Sequence, residues 1–122
     1  MAYLTLPPLD EGFVVSEQRG SLSRENITVA SGSGYLFAGT VLGEVTATGK
    51  YVPVSLTATD GSQTAAAVLL RHLDATSADA AGAAIVRLAE IRSNALTWPA
   101  GATSTEIAAF LASLKSTYVV AR

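Results

Sequence analysis

Short β-forming stretches separated by glycine turns dominate the first half of the chain and constrain its fold more than any other feature. Residues 26–30 alternate in polarity and carry β-branched side chains, which predicts a strand. Residues 40–47 predict a second strand, in which Gly43 indicates a bulge, a bend or a close backbone approach. A tight turn leads into a third strand over residues 50–54, so we expect a hairpin here.

The region after residue 60 leaves strand and helix open as alternatives. Residues 64–70 form a continuous apolar run that predicts a buried strand, although their alanines also fit a helix. Residues 74–81 are polar and small, which predicts a connection. Residues 82–91 predict another strand, although three aliphatic side chains spaced three residues apart also fit a helix.

One helix is predicted near the C-terminus. Thr103 and Glu106 form a capping box, in which each side chain reaches the other's free backbone N–H. One apolar stripe follows at helical spacing, made of Ile107, Phe110, Leu111 and Leu114. Residues 118–120 predict a closing strand. The fold class is therefore α+β, mainly β, with one C-terminal helix near residues 104–115.

Residues 1–24 differ from the rest and predict an extended N-terminal arm before a single domain of residues 25–122. The pair Pro7-Pro8 blocks regular structure and favours an extended chain. The segment that follows has too few apolar side chains to build a core alone. Its apolar residues, Phe13, Val14 and Val15, predict a short strand that needs a partner. The alternative interpretation is a frayed terminus.

Composition excludes several functional classes. Eight basic and ten acidic side chains give a net charge of −2, which argues against nucleic-acid binding. The absence of cysteine excludes disulfides, thiolate metal sites and thiol catalysis. No apolar run is long enough to span a membrane, and no signal peptide is visible, so we expect a soluble protein made in a cytoplasm. Only 15% of residues are charged, which indicates a surface that contacts other protein.

Nothing in the sequence predicts an enzyme, a metal site or a cofactor. His72 is the single histidine, and no nucleophile motif accompanies it, so we interpret it as an exposed or edge residue. Asp60, Asp74 and Asp79 are scattered at turn positions, where aspartate accepts hydrogen bonds from its own backbone. They lack the spacing of a calcium loop.

Trp98 and Pro99 stand out because a tryptophan is fixed between the strand region and the helix cap. Tryptophan is enriched among interface hot spots, so it is an anchor of a subunit interface in one interpretation. In the other it is a core residue that closes the β layer against the helix.

The order of several segments resembles the phage head decoration protein D family. The resemblance covers roughly residues 11–122. The segments that carry it are 11–17 (EGFVVSE), 23–29 (SRENITV), 38–43 (AGTVLG), 47–53 (ATGKYVP), 60–62 (DGS), 74–76 (DAT) and 96–101 (LTWPAG).

This resemblance implies a β-clip-like bent ribbon that carries a helix. It implies a homotrimer on the outer surface of an expanded phage head, at three-fold and quasi-three-fold positions, that stabilises the shell against packaged DNA. The implied partner is the major capsid protein, with no nucleic acid, membrane or cofactor. Carried over by position, the capsid-binding arm comprises Glu11, Phe13, Val14, Val15 and Ser16. The alternatives are a trimeric tail or spike component and a small carbohydrate-binding β-clip module.

Overall fold

The structure is a computed structural model that describes residues 11–18, 22–55 and 57–122. These residues form ten strands, one short 3₁₀ turn and one helix. In chain order they are β1 Val14–Glu17, β2 Arg24–Val29, β3 Gly34–Leu36, β4 Val41–Glu44, β5 Tyr51–Pro53, β6 Ala65–Leu69, β7 Leu73–Ala75, β8 Ala80–Ile85, β9 Ala89–Ile91, the 3₁₀ turn Ser93–Ala95, α1 Ser104–Lys115 and β10 Val119–Ala121.

The predicted mainly β fold with one C-terminal helix is confirmed, but the main sheet is a closed barrel. Its strand order is β2-β5-β4-β6-β8, and β8 returns to pair with β2. That last pairing is antiparallel and spans all six residues of each strand, from Arg24↔Ile85 to Val29↔Ala80. The expected β-clip-like bent ribbon is not found, because β8 joins both ends of the ribbon and leaves no open edge.

Two smaller sheets complete the fold. Strand β9 lies between β1 and β10, antiparallel to the first and parallel to the second. Strands β3 and β7 form a two-stranded antiparallel sheet. The prediction of a plain polar connection over residues 74–81 is wrong, because Asp74 and Ala75 belong to β7 and Ala75 is fully buried.

The core consists of two clusters on opposite faces of the barrel strands. One cluster takes side chains from all five barrel strands, among them Val29, Leu42 and Leu69. The other packs neighbouring positions of β4, β6 and β8, such as Val41 and Val68, against α1 and the β9 sheet. Strand β6 is buried on both of its faces, which explains why residues 64–70 form a continuous apolar run rather than an alternating pattern.

The predicted strand over residues 82–91 is divided in two. Strand β8 ends at Ile85, and Leu88 has a positive φ of 52°, a conformation that neither a strand nor a helix contains. The Leu88 N–H donates to the carbonyl of Thr117 at 3.2 Å, which holds the bend against the end of α1. The helical alternative for this region is therefore wrong.

The interpretation of Gly43 is confirmed. The pairing of β4 with β6 shifts register between Leu42 and Gly43, and a Cβ on Gly43 would lie 2.7 Å from the Cα of Ser62. Only glycine allows the two backbones to approach this closely.

We expect Gly43→Ala to lower the free energy of unfolding by about 1–3 kcal/mol, because backbone rather than a movable side chain meets the new methyl group. Gly82→Ala is a matched control within the same barrel, since its Cβ would meet the mobile end of Leu73 at 3.2 Å. Chemical denaturation of both variants measures the difference. Equal stabilities would contradict the close approach at Gly43.

Candidate functional site

The segment from Glu11 to Glu17 is attached to the folded body at both ends. The Glu11 N–H donates to the carbonyl of Leu70 at 2.8 Å, and the Arg92 N–H donates to the carbonyl of Phe13 at 2.7 Å. Strand β1 then pairs with β9. The predicted boundary after residue 24 falls within β2, and residues 1–10 of the predicted arm lie outside the described residues.

Phe13 is a core residue. Its side chain is 1% exposed and belongs to the cluster that contains Ile91, Phe110, Leu114 and Val119. Strand β1 therefore has an intramolecular partner in β9, and the Phe13 side chain, directly before the strand, packs between the helix and the small sheet. Such packing ties the short strand to the body more strongly than its few hydrogen bonds could.

Val14, Val15 and Ser16 lie at the edge of the β1-β9-β10 sheet. Val14 is half-buried, and the register shifts between Val14 and Ser16, so that Val15 forms a bulge with its side chain 46% exposed. The Ser16 hydroxyl donates to the Glu90 carboxylate at 3.1 Å on the outer face of the sheet. Within the described residues β1 has a strand on one side only. Such an edge can accept a further strand from another chain.

Ion pairs join this segment to the barrel. The Arg24 guanidinium contacts the carboxylate of Glu11 at 2.6 Å and that of Glu17 at 2.5 Å. Arg71 contacts the second oxygen of Glu11 at 3.1 Å. The Arg24 hydrogen bond is the largest cause that holds the pKa of Glu11 below its ordinary value of 4.5, although burial opposes it. The hydrogen bonds that Arg24 donates to Glu17 and Glu11 in turn raise the pKa of Arg24.

These ion pairs make the stability of the segment dependent on pH. A carboxyl whose pKa is lowered by folding stabilises the folded state above its ordinary pKa, and this contribution is lost as pH falls through the lowered value. We therefore expect Arg24→Met to be less stable than the original chain at pH 7, with the difference narrowing below about pH 4.5. Thermal midpoints measured from pH 7 to pH 3 test this.

Arg87→Met is the matched control because Arg87 pairs with Glu25, outside the Glu11 network. It should leave intact the acid-dependent stability that Glu11 contributes. If the thermal midpoints of Arg24→Met and the original chain differ by the same amount at every pH, Glu11 is not the source of the stability lost in Arg24→Met.

Trp98 and Pro99 lie between the barrel and α1, and both are half-buried. The Trp98 ring stacks on Phe110, with ring centroids 5.9 Å apart and planes 11° apart. The preceding residue is held at the start of β4, since the Thr97 N–H donates to the Gly39 carbonyl at 2.8 Å and the Val41 N–H donates to the Thr97 carbonyl at 3.3 Å. The helix cap is formed as expected on one side, where Thr103 accepts from the Glu106 N–H. Glu106 does not reach back to the backbone but accepts from the Thr103 hydroxyl at 3.1 Å.

The aspartates singled out in the sequence form turns rather than a cluster. Asp60 accepts hydrogen bonds from the hydroxyl and backbone N–H of Ser62, and Asp74 does the same with Thr76; both contacts lower the pKa of the aspartate. Asp79 instead joins two loops, because it contacts Lys50 at 2.6 Å and accepts from the Ser31 N–H. No group of three metal-ligating side chains occurs within the described residues.

An exposed aromatic cluster was missed by sequence reasoning. Tyr35 and Phe37 are 57% and 41% exposed, and each lies against the ring of His72. The signal available in the sequence was two aromatic residues spaced by two beside a short strand, whose side chains share one face. His72, interpreted from the sequence as an exposed or edge residue, is half-buried, and its Nδ1 accepts a hydrogen bond from the Ala38 N–H at 3.0 Å.

Comparison with known proteins gives one family match. The model of the family described as bacteriophage lambda head decoration protein D matches residues 3–118 of the 122-residue chain. The matched range contains β1 to β9 and α1, and it ends one residue before β10. No individual curated protein matches the chain. Among the described residues, no helix is both long and apolar enough to cross a membrane.

Proposed function

The chain belongs to the bacteriophage lambda head decoration protein D family, and from this premise we propose that it binds as trimers to the outside of the expanded head and stabilises it against packaged DNA. The proposed positions are the three-fold and quasi-three-fold axes of the shell. Membership over residues 3–118 is the observation that carries the proposal. A head decoration protein associates with the phage capsid, and its family is structural rather than enzymatic.

Stabilisation follows from binding equilibria. A protein that binds the assembled shell but not its separated subunits lowers the free energy of the assembled state by mass action. A trimer that contacts several capsid subunits at once gains further affinity, because each contact after the first is intramolecular. No catalytic group is required for such a role.

The edge strand β1 supports a capsid contact within residues 11–16. Phe13 and the ion pairs of Glu11 fix the strand to the body, while Val15 is exposed at its bulge. We propose that a strand of the major capsid protein adds to the open edge of β1, with Val15 as an apolar contact. Backbone hydrogen bonds would provide affinity in this mode, and side chains at alternate positions would provide specificity.

The experiment mixes the purified protein with expanded, undecorated capsids of its own phage and images them by cryo-electron microscopy. Three variants are compared with the full chain: Val15→Asp, the control Leu22→Asp, and a chain lacking residues 1–10. Leu22 is 51% exposed, outside β1, and so matches Val15 in chemistry and exposure. A deletion of residues 1–24 is unsuitable, because it would also remove Phe13 from the core.

We expect trimeric density at the three-fold positions with the full chain and with Leu22→Asp, and at least tenfold weaker binding with Val15→Asp. Decorated shells should also withstand higher temperature than bare shells. If the shells stay bare after mixing with the full chain, the decoration role is overturned and a tail or spike component is favoured. Equal binding of Val15→Asp and the full chain would place the capsid contact elsewhere.

A further inference from the structure

A cleft on the barrel surface lies outside the β1 edge that the proposed capsid contact uses. It has a volume of about 400 Å³, and its lining combines Arg24 and Arg71 with the small side chains of residues 81–83 on β8. The small residues keep the cleft open, since even a Cβ on Gly82 would meet Leu73 at 3.2 Å. Within the described part of the chain, no acidic side chain lines it. The cleft therefore suits a negatively charged group.

Both guanidinium groups are oriented by glutamates that do not belong to this lining. Arg24 donates from Nε and Nη2 to Glu17 and from Nη2 to Glu11, and Arg71 donates from Nε and Nη2 to Glu11. Neither arginine donates from Nη1 to any described residue, so each keeps donors for a further acceptor. The Arg71 side chain is also 67% exposed, and such a pair contributes little by itself. A second carboxylate would meet donors that are already positioned, which lowers the entropy cost of binding.

The aromatic cluster adjoins this cleft, because His72 belongs to both. The Tyr35 and His72 rings are nearly parallel, 25° apart with centroids at 6.3 Å. The Phe37 ring stands edge-on to His72, with centroids at 5.5 Å. Exposed tyrosine and phenylalanine rings and arginine side chains are enriched in protein interfaces. A ligand in the cleft can therefore contact guanidinium groups and aromatic rings together.

We propose that the cleft binds the carboxylate of an aspartate or glutamate in a segment of the major capsid protein, and that Tyr35 and Phe37 contact an apolar residue beside it. The inference rests on the proposed capsid role and adds a second contact to the one at β1. Arginine suits this ligand, because its planar fork of N–H groups matches the two oxygens of a carboxylate. The aromatic rings select a segment in which the acidic residue has an apolar neighbour.

The position of the cleft favours the capsid protein as its occupant. Arg24 contacts Glu11, which precedes β1, and Glu17, the last residue of β1. The cleft is therefore continuous with the edge to which a capsid strand is proposed to add. Two contacts on one partner bind more tightly than either alone, because the second forms within the complex. A second copy of this chain is the competing occupant, and the experiment below separates the two.

The test measures binding of the full chain and its variants to expanded, undecorated capsids by co-sedimentation. Ala81 is exposed and lines the cleft, so Ala81→Glu places a competing carboxylate there without removing either arginine. We expect Ala81→Glu to bind about tenfold more weakly than the full chain, the effect of losing one charge-assisted hydrogen bond. Ala81→Gln has the same size without the charge and should bind at least about fivefold more tightly than Ala81→Glu. Equal binding by the two variants would overturn the proposal.

Arg71→Gln and Tyr35→Ala test the two halves of the contact. Arg71→Gln should bind about tenfold more weakly and with less dependence on salt, because a screened charge contact is lost. Its control is Arg87→Gln, since Arg87 is a 40% exposed arginine that pairs with Glu25 outside the cleft. Tyr35→Ala should bind about fivefold more weakly. Its control is Tyr118→Ala, which removes a 69% exposed tyrosine outside the aromatic cluster. Both controls should bind like the full chain.

Three results would overturn the proposal, and they have different meanings. If the full chain leaves the shells bare, the decoration role fails and this contact fails with it. If the full chain decorates the shells and Arg71→Gln binds equally well at low and high salt, only the contact at the cleft is wrong. If Arg71→Gln changes the assembly state of the free protein in sedimentation velocity, the occupant is a second copy rather than the capsid protein.

Discussion

Phe13→Ala is expected to lower the free energy of unfolding by about 3–5 kcal/mol, the range for removal of a buried phenylalanine ring. The ring is 1% exposed and packs with Ile91, Phe110 and Leu114, so its loss leaves a cavity between the helix and the β9 sheet. For a chain of this size the corresponding fall in thermal midpoint is roughly 10–20 °C. Thermal and chemical unfolding monitored by circular dichroism measure both quantities.

Val15→Ala is the matched control for Phe13→Ala. It lies two residues away on the same segment, and its side chain is 46% exposed, so we expect a change within about 0.5 kcal/mol. A Phe13→Ala variant as stable as the original chain would mean that residues 11–17 do not contribute to the body. The segment would then be a separate arm, as first expected from the sequence.

Trp98→Ala is expected to lower the free energy of unfolding by about 2–4 kcal/mol, less than full burial would cost because the ring is half-buried. The indole stacks on Phe110, with ring centroids 5.9 Å apart, and Phe110 is itself 1% exposed. The substitution therefore exposes the Phe110 ring, a core residue, to solvent. Trp98→Phe keeps an aromatic stack and should recover at least half of the loss.

Protein concentration separates the two interpretations of Trp98. If the ring is a core anchor, Trp98→Ala destabilises the chain equally at low and high concentration. If it anchors a subunit interface, the loss appears only where the assembled form is populated, because association then contributes to stability. Unfolding at concentrations a hundredfold apart, with sedimentation velocity to record the assembly state, distinguishes these results. A loss confined to high concentration would contradict the core interpretation.

Several elements could be predicted from the sequence because their signals are local. The helix follows from a cap at Thr103 and a stripe whose members lie within one or two turns of one another. The bulge at Gly43 follows from a residue type that seldom occurs in strands without a steric reason. Turns at Asp60 and Asp74 depend on hydrogen bonds to residues two positions further along.

The elements that prediction missed depend on contacts between distant parts of the chain. Strand β7 carries few β-forming residues, and it is a strand because β3, almost forty positions earlier, pairs with it. The break at Leu88 is fixed by the carbonyl of Thr117. The aromatic cluster was missed because His72 meets Tyr35 and Phe37 only once the two-stranded sheet forms.

The sequence by itself determined a mainly β chain with one capped C-terminal helix, and the order of its segments indicated the decoration protein family. Short-range periodicity, capping and turn chemistry act within a few residues, so they can be read without knowing the fold. Only the tertiary structure decided that the ribbon closes into a barrel, that Phe13 is core, and that Tyr35 and Phe37 meet His72 in an exposed aromatic cluster. Pairing partners such as β2 and β8 are more than fifty residues apart, and burial is a property of the packed whole, which no local pattern specifies.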